Sequence, residues 1–214
     1  AFDMTYAWSL WFALEDLYQQ KRGMGGLMEY LAHDVSTFPE NAYRMTFTEN
    51  HDKNSWEGNQ YSNYGEGLHA AMVLCCTVNG MPLVYSGQEA GLDRSLRFFE
   101  KDEIEWKDHE NAEIYKKLFQ LKKRNRSLWN GKWGGEMIRI NNNHPGRVLS
   151  FYRESEGDKM ISIINLSEKK ANVSLDTAPF TGSYRDVFSN TEMTINKKAT
   201  IQLDPWGYKV LSNR

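Results

Sequence analysis

Residues 47–56 read FTENHDKNSW, and they continue an apolar run at 43–47 straight into Glu49, Asn50, His51 and Asp52. A short apolar segment that ends abruptly in polar residues reads as a buried strand. In parallel α/β architectures the residues just past the C-terminal end of a strand carry the chemistry, because the loops there converge on one rim. The stretch therefore predicts a fold class and a site together. Two other segments share the pattern: residues 2–6 (FDMTY), with Asp3 and Thr5 inside the strand, and residues 83–85, followed by Ser86, Gly87, Gln88 and Glu89.

Helical spacing fills the intervals between these strands. Residues 8–20 and 26–35 carry Leu10, Trp11, Leu14, Leu17 and Leu27, Tyr30, Leu31 on repeating faces. Residues 67–78 (GLHAAMVLCCTV) predict a helix buried on most sides, ended by Gly80-Met81-Pro82. Residues 110–128 set Ile114, Leu118 and Leu121 opposite a basic face. Strand followed by helix, three times over, predicts parallel βα units. Near Asn130-Gly131 the pattern changes to short runs split by polar turns: EMIRI, RVLSFYR, KMISIINL, ANVSL, SYRDVF, TIQL and GYKVLS. These predict an antiparallel β-sandwich or barrel of seven or eight strands. The fold class is thus α/β plus all-β, with one domain at 1–130 and a second at 131–214. A closed (β/α)₈ barrel needs about 250 residues, so three units make either a small open layer or the back portion of a barrel. A chain that opens directly on a strand favours the second.

The composition bounds the function. In 214 residues, 40% hydrophobic and 25% charged with a net charge of −2, nothing favours nucleic acid or an anionic membrane surface. No apolar run approaches the ~20 residues of a membrane span, and the opening AFDMTYAWSL has no basic leader segment. Cys75 and Cys76 are adjacent in a helical segment, where they cannot readily bridge each other, so they are expected reduced and buried. The lack of a disulfide pattern leans toward the cytoplasm and leaves localisation open. Aromatic residues reach 13%, with seven Trp and eleven Tyr. Flat rings stack on pyranose faces, although cores and protein interfaces use the same residues.

Acidic groups gathered on one rim suit charge stabilisation in glycoside hydrolysis, or metal binding. The hydrolysis needs a general acid and a second carboxyl group, about 5–5.5 Å away in retaining enzymes. A third carboxylate can hold sugar hydroxyls more tightly as the oxocarbenium forms. Each residue also has a plainer reading. Asn-His-Asp is what an Asx-turn uses, a lone His is commonly a hydrogen-bonded structural residue, and Glu89 can cap a helix. Trp56 in a polar loop is either a packed anchor or a sugar platform. A zinc site at His51 and Asp52 lacks ligand spacing among the other histidines, at 33, 69, 109 and 144. No Gly-x-Ser-x-Gly elbow or phosphate-cradling glycine loop is present.

FTENHD, followed roughly 30 residues on by GMPLVYSGQEAGL, resembles the α-amylase family of glycoside hydrolases, family thirteen. That family has a strand ending Asn-His-Asp, and its next barrel strand reads Gly-x-Pro-x-x-Tyr-x-Gly-Gln-Glu, matched here by Gly80, Pro82, Tyr85, Gly87, Gln88 and Glu89. The segment FFEKDEIEWKD at 98–108, then a helix and an all-β tail, is similar to the family's approach to its C-terminal domain. The resemblance implies that Asp52 is the catalytic carboxylate that stabilises the transition state, His51 a partner of sugar hydroxyls and Asn50 a positioning residue. Trp56 joins them as a candidate substrate-binding ring, and Tyr85 to Glu89 are implied to close the barrel. The family's nucleophile, an Asp in a Gly-x-Arg-x-Asp strand end, and its Glu acid/base find no match here. Asp3 falls on what resembles the sixth barrel strand, after both, and is not a nucleophile candidate. The chain therefore looks like strands six to eight of a (β/α)₈ TIM barrel followed by a C-terminal β-sandwich. It is expected to act on an α-linked glucan or oligosaccharide, by a retaining mechanism, without cofactor or assigned metal. Alone it is expected to lack hydrolysis, and to associate with the missing N-terminal barrel half or with another copy. The other reading is a non-catalytic module that binds carbohydrate or a partner.

Overall fold

Residues 3–214 are described in the computed structural model, apart from the side chain of Val35. The three apolar segments of the first half form a parallel sheet, each strand short: β1 (Met4–Tyr6), β2 (Tyr43–Thr46) and β3 (Met81–Pro82), in that order. Thr5 lies opposite Arg44, and Met45 opposite Met81. Phe2, counted in the predicted first strand, lies outside the described residues.

The third strand corrects the sequence reading. It occupies Met81–Pro82, and residues 83–85 run on as half-buried irregular chain. Pro82 has no N–H to donate. The Leu83 N–H gives the last bond to the β2 end, at Thr46 O (2.8 Å), after which Gln88 Oε1 takes the Tyr85 N–H (2.8 Å) and draws the chain into a turn. Entry to β3 depends on Gly80, whose φ is +139°; a Cβ there would lie 2.6 Å from the Arg44 carbonyl oxygen.

Helices α1 (Trp8–Tyr18) and α2 (Met24–Thr37) connect β1 to β2. Helices α3 (His51–Trp56), α4 (Gln60–Tyr64) and α5 (Leu68–Thr77) connect β2 to β3, and α6 (Glu110–Arg124) follows. All of α5 except His69 is buried, including Cys75 and Cys76, which are unbridged. Burial pushes the Cys76 thiol up to about 12. Helix α6 is amphipathic, with Ile114, Tyr115, Leu118 and Leu121 inward and Lys122, Lys123 and Arg124 in the last turn, where the helix dipole favours cations.

Eight further strands follow: β4 (Ile138–Arg139), β5 (Val148–Ser155), β6 (Asp158–Asn165), β7 (Ala171–Asp176), β8 (Gly182–Asp186), β9 (Glu192–Ile195), β10 (Lys198–Leu203) and β11 (Tyr208–Ser212). Six make one antiparallel sheet, in the order β4-β5-β6-β11-β8-β9, and β7 pairs with β10. The two sheets enclose a core of Val148, Tyr152, Ile161, Ile163, Val173, Leu175, Ile201 and Leu211. The other face of the larger sheet (Leu149, Phe151, Met160, Ile164, Val210) joins α5 and α6 in a second core that runs back to α1 and α2. Strands β5 and β6 are covered on both faces, so residues 148–153 and 160–165 are buried without a break; β7 is covered on one, and ANVSLD alternates strictly. Arg153, buried on β5, joins the parts by donating to the carbonyls of Thr77 and Val78 (3.0 Å each), Trp129 (3.2 Å) and Gly135 (3.0 Å).

Candidate functional site

Beyond Thr46 the chain is fixed by polar side chains from several elements. The Thr48 carbonyl accepts from Trp11 Nε1 (2.9 Å) and Tyr64 Oη (3.1 Å), while its hydroxyl accepts from Gln88 Nε2 (2.8 Å). Gln88 and Glu89 work structurally: Glu89 Oε2 accepts the Gly87 N–H at 3.0 Å. Two residues on, Asn50 caps a helix, its Oδ1 accepting the Lys53 N–H at 2.9 Å. This corrects the expectation of a bare strand end. His51 and Asp52 form the first turn of α3, and Trp56 is its last residue rather than part of a loop.

The helical turn sorts the quoted stretch into two sets. Glu49, Asn50, Lys53 and Asn54 are buried. His51 and Asp52 turn outward, with 52% and 46% of their side chains exposed, and His51 Nε2 lies 3.4 Å from Asp52 Oδ1. Trp56 is 65% exposed. Lys53 fastens the inner side to α1: its ammonium pairs with Glu57 (2.6 Å) and lies 3.9 Å from the Trp11 ring and 4.5 Å from that of Phe12. Asp3 precedes β1 at the opposite end of the parallel sheet from Asp52, so the two carboxylates do not share a rim.

Beneath the outward pair, Glu49 Oε1 accepts from Asn54 Nδ2 at 2.8 Å, whereas Glu49 Oε2 and Asn50 Nδ2 have no partner. Burial, against smaller opposing effects of hydrogen bonds from Asn54 and Gln60, pushes the Glu49 carboxyl up to about 7. Asn54 reaches further. Its Nδ2 also donates to Arg94 O (3.2 Å), its Oδ1 accepts the Leu96 N–H (2.6 Å), and Ser55 Oγ donates to Leu96 O (3.0 Å). The segment so held is stiffened by a bidentate Arg94–Asp102 pair at 2.8 and 3.0 Å. That pair, with the Arg97 and Glu103 N–H groups, holds the Asp102 carboxyl well below the usual carboxylate range.

This segment carries Phe98 and Phe99 to α3. The Phe98 ring lies 6.1 Å from the His51 ring and 5.7 Å from Trp56, and Phe99 lies 4.8 Å from Phe98. Sequence reasoning missed Asn54, Phe98 and Phe99. The adjacent phenylalanines were the signal for the last two, a pair of large apolar rings in an otherwise charged segment. For Asn54 there was none. Among the described residues, no three His, Cys, Asp or Glu side chains gather closely enough to hold a metal ion.

Residues 13–136 match the model of the alpha amylase catalytic domain, more than half of the chain. The chain belongs to the alpha-amylase family. Residues 138–210 match the maltogenic amylase C-terminal domain. Alpha-amylase 2 of Dictyoglomus thermophilum is 26% identical over 170 residues, covering 72% of this chain and 27% of that protein. Among solved structures, a noncanonic maltogenic alpha-amylase, AmyB, from Thermotoga neapolitana superposes with a TM-score of 0.83 at 23% identity, over 99% of this chain and 51% of that one. AmyP, solved with maltose and with maltotriose, superposes at a TM-score of 0.76 in both cases; its maltose complex is 15% identical and is covered to 50% by 99% of this chain. This alpha-amylase-family chain thus spans about a quarter of the curated relative's length and about half of these solved chains. The neighbours have the alpha-amylase fold, a TIM barrel with a C-terminal antiparallel sheet domain, and this chain superposes on about half of it.

Proposed function

We infer that this chain supplies one corner of a retaining, α-glucan-active glycosidase or transglycosylase site, with Asp52 as the carboxylate that stabilises the transition state. The observation that carries this reading is the Asn50-capped turn, which buries Glu49 and Asn50 and leaves Asp52 half exposed beside His51. A carboxylate so presented can accept hydrogen bonds from sugar hydroxyls, and those bonds strengthen as positive charge develops on the ring. His51 contributes a second hydrogen-bonding group, Asn50 positions the turn, and Trp56 offers a ring to a pyranose face. The substrate is an α-linked glucan or oligosaccharide, the class of ligand held in the AmyP complexes.

The nucleophile and the acid/base come from outside these residues. The outer edges of β1 and β3 pair with nothing among the described residues, which supports further strands joining there, from the rest of a barrel or from a second copy. On this reading residues 1–130 are barrel units six to eight and residues 131–214 the C-terminal sandwich domain.

The test has two arms. The purified 214-residue chain is expected to release no reducing sugar from maltoheptaose, and turnover by it would refute the assignment of roles. In a polypeptide that also carries a Gly-x-Arg-x-Asp strand and a Glu strand, Asp52→Asn is expected to lower kcat by about 10²–10³, the scale of losing one electrostatic stabiliser. Unchanged kcat removes Asp52 from the mechanism. Saccharide binding without turnover by the longer polypeptide of the second arm favours the second reading, a carbohydrate-binding module, which the exposure of Trp56 supports.

A further inference from the structure

Two guanidinium groups are buried near the start of β2, at the end of the strand away from His51 and Asp52. Arg153 is 1% exposed and donates only to backbone carbonyls, using four of its five N–H groups. No carboxylate among the described residues offsets its charge, and burial alone pulls the guanidinium down to about 9. A buried cation is ordinarily paired, because its lost hydration is otherwise not returned. Arg44, 5% exposed, is paired on one side only. Its Nε donates to Asp34 Oδ1 (3.0 Å) and its Nη1 to Tyr43 O (3.1 Å), while Nη2 has no partner among the described residues.

Both arginines line one cavity of about 300 Å³. The groups nearest each guanidinium line it too. For Arg44 these are Asp34, Tyr43 and Phe38, whose ring centre lies 3.3 Å from Arg44 Cζ; for Arg153 they are Trp129, Gly134 and Gly135. Gly134 leaves Arg153 Nη2 uncovered, since a Cβ built there would lie 3.1 Å from that nitrogen.

We propose that this cavity binds the carboxylate of a small organic acid, held by the remaining N–H groups of Arg44 and Arg153. Three observations select that occupant. The first is charge: two buried guanidiniums against the single carboxylate of Asp34 leave one positive charge, which a monoanion balances. Glu40 and Glu136 also line the cavity, both exposed, and their charges oppose a polyanion such as a phosphate dianion. The second is shape, because the planar guanidinium fork matches a planar carboxylate better than it matches a spherical halide. The third is the rest of the wall. Phe38, Pro39, Ala42 and Trp129 give apolar surface, and a second cavity of about 400 Å³ adjoins at Asp34 and Asn79, lined by Met28, Leu31 and Met137. An acid with an apolar body uses both surfaces. The cavity and the proposed site lie at opposite ends of β2, so neither reading depends on the other.

The test uses the 214-residue chain. Calorimetric titration with butyrate, with butanamide and with chloride is run at constant ionic strength on the wild type, on Arg44→Gln and on Ala42→Leu. Butanamide keeps the shape of butyrate without its charge. Ala42→Leu narrows the cavity without touching either guanidinium, so it carries the test if Arg44→Gln does not fold. The wild type is expected to bind one butyrate, and butanamide at least about tenfold more weakly. Each variant is expected to weaken butyrate about ten- to hundredfold, the value of a hydrogen bond to a charged group. Butyrate should also raise the wild-type melting temperature, by about 3–5 °C for each tenfold excess over its Kd.

No butyrate binding by the wild type overturns the proposal. So does binding that persists unchanged in the folded variants, because the acid then sits elsewhere. Equal affinity for butanamide overturns the role of the two charges, and chloride that displaces butyrate at equal concentration overturns the assignment to a carboxylate.

Discussion

The two halves of the molecule treat buried polar groups differently. In the β half each is spent: Asp186 accepts from the Phe188 and Ser189 N–H groups and pairs with Lys209 at 2.5 Å, and Asn165 donates to Lys169 O and Asp204 O. The buried side-chain atoms without a partner among the described residues are Tyr30 Oη, Arg44 Nη2, Glu49 Oε2, Asn50 Nδ2 and Asn130 Oδ1, and all precede residue 131. A native structure keeps such groups few because each forfeits its hydration without return. Two of the five belong to Glu49 and Asn50, which directly precede His51 and Asp52. The contrast places every unpartnered buried side-chain atom among the described residues in the α/β half, two of them in the stretch that carries the proposed site.

Removing the residue that joins the halves breaks the comparison most directly. Arg153 comes from the β half and gives its hydrogen bonds to carbonyls of the α/β half and the crossing segment. Arg153→Ala leaves four buried carbonyls short of donors and is expected to cost about 3–5 kcal/mol. Urea unfolding followed by far-ultraviolet circular dichroism and by tryptophan fluorescence checks this. Coincident transitions at lower urea are expected; a loss below about 1 kcal/mol would show that the halves are held by apolar packing alone.

Within the α/β half, Asn54 is the closest counterpart of Arg153: fully buried, and bonded at both ends to segments distant in sequence. Asn54→Ala deprives Glu49 of its partner and frees the Leu96 N–H, with an expected cost of about 2–3 kcal/mol. The distinguishing measurement is amide hydrogen exchange. Protection at Leu96 should fall well beyond the global loss of stability, because the 94–96 backbone is released locally.

Glu49 turns the contrast into a pH dependence. Burial raises its carboxyl from about 4.5 to about 7. Between those values the folded state binds more protons than the unfolded one, so this group's contribution to stability is full below about 4.5 and is lost as pH rises through about 7. Stability measured from pH 4.5 to 8 should therefore decline by on the order of 2 kcal/mol on account of this group. In Glu49→Gln that component of the slope should vanish, and the variant should be the more stable protein at pH 8. A slope that persists unchanged in Glu49→Gln assigns the titration elsewhere.

The fold was legible where one rule governs a whole element. Alternation in ANVSLD and the mainly apolar, unbroken burial of VLSFYR follow from covering one face or two, and the three βα units follow from helical spacing between short apolar runs. It was illegible where a single side chain overrides its neighbours. Gln88 ends the third strand earlier than LVY suggests, and Asn50 converts a strand end into a helix start, moving Trp56 out of the expected loop. Strand β9 is only four residues long, and its alternation rests on Met193 and Ile195 alone, too short a signal to stand out. At the proposed site, Asp52, His51 and Asn50 are candidates because the motif names them. Asn54 and the two phenylalanines gain their meaning from contacts about 40 residues apart, which no local pattern encodes.

The smallest stability effect belongs to Trp56, and that is what makes it useful. Its ring is 65% exposed and its contacts are with Phe98 and Phe99, themselves at the surface. Trp56→Ala should therefore change unfolding free energy by no more than about 0.5 kcal/mol. Had Trp56 been a packed loop anchor, the same substitution would cost about 3–5 kcal/mol, as for an aromatic residue removed from a core. A melting curve thus separates the two readings without any ligand. A near-neutral result excludes the packed anchor, and weakened affinity for maltoheptaose in the same variant would support a binding role. An unstable variant would move Trp56 into the structural set with Lys53 and Asn54, and the outer face of α3 would then present His51 and Asp52 alone.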